Sequence, residues 1–234
     1  MFAIYKKELR SYFTTPLGYV FCGVFLAVSG FLLGITTLYS GTVDVSSFYQ
    51  IMIFACGILI PILTMKTFAE ERRMKTEQLL MTAPLPIVKM VLAKFLSSYT
   101  LFVVSLAAGC FYLLPLSSYG TMNGARTIGC LVAMLLVGMC FVAVGIFVSS
   151  LTDNTVTAAV GTIAIILVMV AASMFNSLID FYPIRQVLSW ISVYGRYTYF
   201  TYGIFDFSAL VYYFSLTVVF LFLTVRVFDR RRWA

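Results

Sequence analysis

An all-α, polytopic membrane fold with six spans is what this sequence predicts, and three observations carry that reading. Hydrophobic residues fill 62% of the 234 positions and charged residues only 11%, whereas a soluble domain is about a quarter charged. Too few charges remain to build a water-facing surface, so lipid is the main solvent. Apolar runs near 17–39, 49–66, 95–115, 127–149, 156–178 and 207–228 each approach or exceed the roughly 20 residues that cross a bilayer core, and none has a charge at its centre. The basic residues are also lopsided. Threading the chain through six spans puts thirteen of the sixteen Lys and Arg on the side that holds both termini, and cytoplasmic loops collect that excess.

The elements follow in order. Residues 2–13 predict a helix lying flat in the headgroup layer. Phe2, Tyr5, Leu9, Tyr12 and Phe13 fall on one arc of its wheel, with Lys6, Lys7, Glu8 and Arg10 off it. Pro16 suits the first turn of span one. That span is too long, and too far behind its basic residues, to read as a cleaved signal peptide. Within it Gly23, Ala27, Gly30 and Gly34 form a small-residue stripe, which serves close packing within the chain or between two copies. Gly57 and Pro61 predict a kink in span two.

Composition also excludes functions. With no histidine, His-dependent triads, His metal ligands and a His proton relay are ruled out. The cysteines, Cys22, Cys56, Cys110, Cys130 and Cys140, sit singly in apolar runs and read as small buried hydrophobes. No metal site and no catalytic residue is expected. The net charge of +7 is explained by the basic side of the membrane, so nucleic acid is not an expected partner. The whole chain, 1–234, reads as one membrane domain.

Two extramembrane stretches are informative. The segment 66–94 concentrates charge, and good helix formers run from Phe68 to Met81 before Pro84 and Pro86. Glu71 and Lys75 have the spacing of a favourable pair. This helix either merely inverts the chain or docks a partner on the basic side. On the other side, 178–206 holds Tyr182, Arg185, Trp190 and Arg196. Ile184, Val187, Leu188 and Ile191 follow a helical period there, and the aromatics suit a membrane interface. Thr162, Ser173 and Asn176 of span five face either a substrate path or neighbouring helices.

The order of residues in the basic-side loop resembles that of type 2 ABC transporter permeases. Phe68, Glu70, Glu71, Arg72 and Arg73 are followed by Thr76, Glu77, Leu79, Leu80 and Pro84, and then by Leu92 and Lys94-Phe95. Ala93 stands where that family more often has glycine. The resemblance covers the whole topology and is similar to the short gliding-motility and copper-maturation-type branch. It implies a dimeric exporter permease in the plasma (inner) membrane, with a second permease copy or a related permease as its mate and both termini cytoplasmic. A separate ATPase would dock on the 68–81 helix. Phe68, Glu70, Glu71, Arg72, Arg73, Glu77 and Asp153 are the implied coupling residues, and Tyr182, Arg185, Trp190 and Arg196 the implied outer gate. Membrane lipid and an accessory protein on the outer face complete the expected partners. The sequence has no GxxxxGK[ST], so no cofactor is expected on this chain, and ATP and magnesium fall to the partner. The alternatives are a secondary transporter, which needs ionisable groups within the membrane, and a non-transporting scaffold.

Overall fold

The computed structural model describes residues 2–39, 41, 44–75, 86–116, 123–176, 186, 190, 192–203 and 206–232. Among these the chain is helical throughout, and six helices are long and apolar enough to cross a membrane. We label them with the shorter helices as α1 (Phe2–Thr14), α2 (Pro16–Leu33), α3 (Ser46–Thr64), α4 (Lys66–Arg73), α5 (Ile87–Gly109), α6 (Gly124–Leu151), α7 (Thr155–Asn176), α8 (Val193–Thr201) and α9 (Phe207–Arg232). A wider helical turn extends α2 through Leu38, and short helical turns carry α5 to Leu116.

Helix α6 is the centre of the bundle. It packs against α3, α5, α7, α8 and α9 and also touches α4. Two of its glycines make this possible. A Cβ on Gly138 would run into the ring of Phe102, and one on Gly145 into the side chain of Thr64. The close contacts therefore lie on span four. The expected stripe on span one differs: a Cβ on Gly23 or Gly34 would meet nothing, and only Gly30 has a neighbour, Tyr112, at 3.6 Å. Packing within the chain leaves those two glycines without close neighbours.

The N-terminal helix docks on protein. It packs on α5 and α2, with the Tyr12 hydroxyl 2.9 Å from Ser98 Oγ and the Tyr5 hydroxyl 3.1 Å from Thr100 Oγ1. Burial pushes the Tyr12 phenol above its ordinary pKa. Phe2 and Phe13, from the same predicted arc, are exposed, so the arc is split between protein and surroundings. Thr15 is extended before Pro16, which starts α2. Gly18 keeps the turn tight, because a Cβ there would strike the Tyr12 carbonyl.

Span two carries Pro61 near its end and stops at Thr64; one residue later α4 begins. Within the predicted helix 68–81, α4 begins two residues earlier and breaks after Arg73. It closes at Arg73, with Met74 N bonded to the Glu70 carbonyl and Lys75 at φ 56°. That left-handed residue ends the helix. Residues 76–85 lie outside the described residues. Span three starts at Ile87 instead of 95, which places Lys94 inside a helix.

Candidate functional site

Helix α4 begins without a side-chain cap of its own, because Met65 has no oxygen to offer its first N–H groups. The cap comes from another span. Ser149 Oγ, near the end of α6, accepts from both Phe68 N and Ala69 N at 3.1 Å and donates to the Met65 carbonyl at 3.2 Å. One hydroxyl thereby fixes where α4 leaves the bundle. The Phe68 ring fills the joint, 4.7 Å from Phe228 of α9.

Lys94 ties the next layer. Its side chain is 1% exposed, with Nζ 2.7 Å from Glu71 Oε1 of α4 and 3.5 Å from Glu8 Oε1 of α1. It also donates to the Thr67 carbonyl at 2.7 Å and lies 4.8 Å from the Phe68 ring centre. A buried cation needs this many partners to offset its lost hydration. Three helices, α1, α4 and α5, are therefore pinned at one ammonium. Around the rim, Arg72 reaches Asp153 at 2.7 Å and the Leu151 carbonyl at 3.2 Å. Arg231 of α9 donates to the Ser150 carbonyl at 2.7 Å. A short helix is thus bonded directly to α5, α6 and the α6–α7 turn, linked to α1 through Lys94, and packed by its aromatic ring against α9.

The predicted coupling residues divide here. Phe68, Glu71 and Arg72 face into the junction, and Asp153 is brought to Arg72. Glu71 pairs with Lys94 rather than with Lys75 as its spacing suggested, because the left-handed Lys75 has left the helix. Glu70 is half-buried, while Arg73, Met74 and Lys75 are exposed. Among the described residues no carboxylate lies within ion-pair distance of Arg73 or Lys75. Glu77 lies outside the described residues. Sequence reasoning missed Lys94, Glu8 and Ser149. Lys94 was legible as a lysine two turns into an apolar helix once that helix starts at Ile87; Ser149 carried no signal.

At the opposite end, Asp44 binds Arg126 at 3.2 Å. Burial pushes the Asp44 carboxyl up, but hydrogen bonds from Ser46 and the charge of Arg126 outweigh it and hold the carboxyl below its ordinary range. Nearby, a recess of about 520 Å³ is lined by Ser173, Asn176, Trp190, Arg196, Tyr199 and Asp206 among others. It joins residues expected in a substrate path to residues expected in an outer gate. Arg196 stacks 3.9 Å from the centre of the Tyr212 ring, and Asn176 Oδ1 is buried with no hydrogen-bond partner among the described residues. Cationic, anionic and amide groups in one recess suit a polar solute. Thr162 does not line it. Its buried hydroxyl donates to the Ala158 carbonyl of its own helix at 2.7 Å. Tyr182 and Arg185, and most of the predicted 184–191 helix, lie outside the described residues; the described helix at this end is α8, capped by Ser192. No cluster of potential metal ligands occurs among the described residues.

The family model described as ABC-2 family transporter protein matches residues 2–233. Among curated proteins none matches the sequence.

Proposed function

The chain belongs to the ABC-2 transporter family and is a membrane transport subunit; from that premise we propose that it is half of a dimeric exporter permease driven by a separate ATPase at the α4 junction. In this reading the chain lies in the plasma membrane with both termini and α4 cytoplasmic, and the partner ATPase binds ATP and magnesium. The single observation that supports it most is the construction of α4. Its inner face is bonded to α5, α6 and the α6–α7 turn and linked to α1 through Lys94, while Arg73, Met74 and Lys75 are exposed. A push on that outer face would be delivered to several spans at once, because bonded, packed elements shift together rather than deform.

Glu71 and Arg72 hold the lever inside the permease, and Arg73 and Lys75, with Glu70 and the following segment, meet the ATPase. The open stripe around Gly23 and Ala27 of α2 supports pairing with a second copy or a related permease, since small residues let membrane helices approach closely. The recess at Asn176 and Arg196 sits where cargo would leave, and an accessory protein would meet the permease on that face.

The test is purification of the tagged chain from its native membranes with its ATPase. Arg73→Glu with Lys75→Glu is expected to lower ATPase recovery at least tenfold while the permease still elutes as a folded, monodisperse species. Full recovery of the ATPase with the double variant would refute the docking claim.

A further inference from the structure

Spans five and six do not close on each other. Helices α7 and α9 each pack on α6 and on α8, with at most marginal contact between them. The recess of about 520 Å³ is walled by the last turns of α7, by α8 and by the start of α9. That volume lies within the range of sites that hold small ligands, about 300–1,000 Å³. Trp190 and Tyr199 line it and are exposed, as aromatic side chains are in the headgroup layer. The two flanking spans carry exposed apolar side chains away from it, Val168 on α7 and Val211 and Phe214 on α9.

Three polar groups in the recess are left incomplete. Arg196 stacks on the Tyr212 ring, and among the described residues no carboxylate pairs with its guanidinium. Asp206 Oδ1 caps α9 by accepting from Ser208 N at 2.9 Å, and among the described residues no cation pairs with that carboxylate. Asn176 Oδ1 has no hydrogen-bond partner there. By contrast, Ser173 Oγ donates to the Val170 carbonyl and Ser192 Oγ accepts from Gly195 N. Arg196 and Asp206 thus share one recess without pairing with each other. Their charges balance but stand apart, so the matching ligand is itself dipolar. Its anionic end suits the guanidinium, whose planar N–H fork fits a phosphate. Its cationic end must also donate, because both Asp206 and Asn176 Oδ1 accept. A primary ammonium has three N–H donors; a quaternary ammonium has none. We propose that this recess binds the headgroup of phosphatidylethanolamine, with the phosphate at Arg196, the ammonium at Asp206 and Asn176, and the acyl chains along α7 and α9. The inference needs the membrane setting of the spans and not the export reading. It concerns what occupies the recess, and it is tested without an ATPase, so its failure would leave the docking claim where it stands.

The test delipidates the full-length chain in detergent and titrates it with phosphatidylethanolamine, phosphatidylcholine or phosphatidylglycerol of the same acyl chains, counting the first bound lipid by native mass spectrometry. The first phosphatidylethanolamine should bind about tenfold more tightly than either other lipid, the effect of one charge-assisted hydrogen bond. Asp206→Asn keeps an N-cap residue for α9, so it should melt as the wild type does while its affinity for phosphatidylethanolamine falls to that for phosphatidylcholine. Arg196→Gln should weaken both of those lipids, since both carry the phosphate. Excess free phosphoethanolamine should displace the lipid. Equal affinity for the three lipids, or an unchanged preference in Asp206→Asn, would overturn the proposal. So would binding of free phosphoethanolamine without any preference for the lipid that carries it.

Discussion

Lys94 and Asp44 show how differently one ion pair can weigh at two ends of a molecule. Lys94 is sealed in, with its charge divided between Glu71 and Glu8. Removing one partner of a buried pair costs about 3–5 kcal/mol, because the other charge stays buried without compensation. The Asp44–Arg126 pair is open to its surroundings, with side chains 47% and 36% exposed, and such pairs contribute about 0–1 kcal/mol. Its folded-state carboxyl sits below the ordinary value. The stability it contributes is therefore present above the ordinary Asp range, and it is lost as pH falls through about 4 and below. Asp44→Asn should lower stability at neutral pH by no more than about 1 kcal/mol. Melting curves should show the wild-type advantage over Asp44→Asn disappearing below about pH 4; an advantage that persists there would mean the Asp44–Arg126 pair is not its source.

Among the elements, α6 and α4 depend on contacts that a single residue type makes possible. The glycine at 138 admits Phe102, and the glycine at 145 admits Thr64. Gly138→Val should cost about 1–3 kcal/mol through overpacking, read as a lower melting temperature in detergent. Gly23→Val, on the open face of α2, should leave the melting temperature of the separated chain within error. Equal losses at both positions would contradict the packing described. Six spans were legible because length and hydropathy alone define them, and the boundaries fell within a few residues for five. Span three was misread because Lys94 looked like the end of a loop. A charge can be kept in a helix when the fold supplies its partners, and those partners, Glu8 and Glu71, come from distant parts of the chain. The same limit hid Ser149, whose cap forms 80 and 81 residues away in sequence. The extent of α4 was misread for a local reason. Helix propensity favours continuation through Lys75, but the chain turns left-handed there.

For the whole molecule, two ends of opposite character emerge. One holds α1, α4, the α6–α7 turn and the end of α9, cross-linked through Lys94, Arg72 and Arg231. The other holds the Asp44–Arg126 pair, α8 and the recess at Asn176 and Arg196. Charge asymmetry made this division readable in the sequence, although it gave no view of which loop residues turn inward. In a variant lacking the five native cysteines, Ser46→Cys should react with an impermeant maleimide in intact cells, and Lys75→Cys only after permeabilisation. The reverse pattern would invert the orientation and move α4 away from any cytoplasmic ATPase.

The central claim is that α4 carries force from an ATPase into the spans through Lys94. The most direct measurement is ATP hydrolysis and cargo-independent stimulation in the reconstituted complex, compared between Lys94→Met and the neutralised triple variant Glu8→Gln, Glu71→Gln, Lys94→Met. Both keep Arg73 and Lys75, so both should bind the ATPase at wild-type stoichiometry. Stimulation should fall at least tenfold in Lys94→Met, where two carboxylates are left without their cation, and should recover in part in the triple variant, which removes the stranded charges. Wild-type stimulation by Lys94→Met, at wild-type stoichiometry, would show that force enters the permease elsewhere.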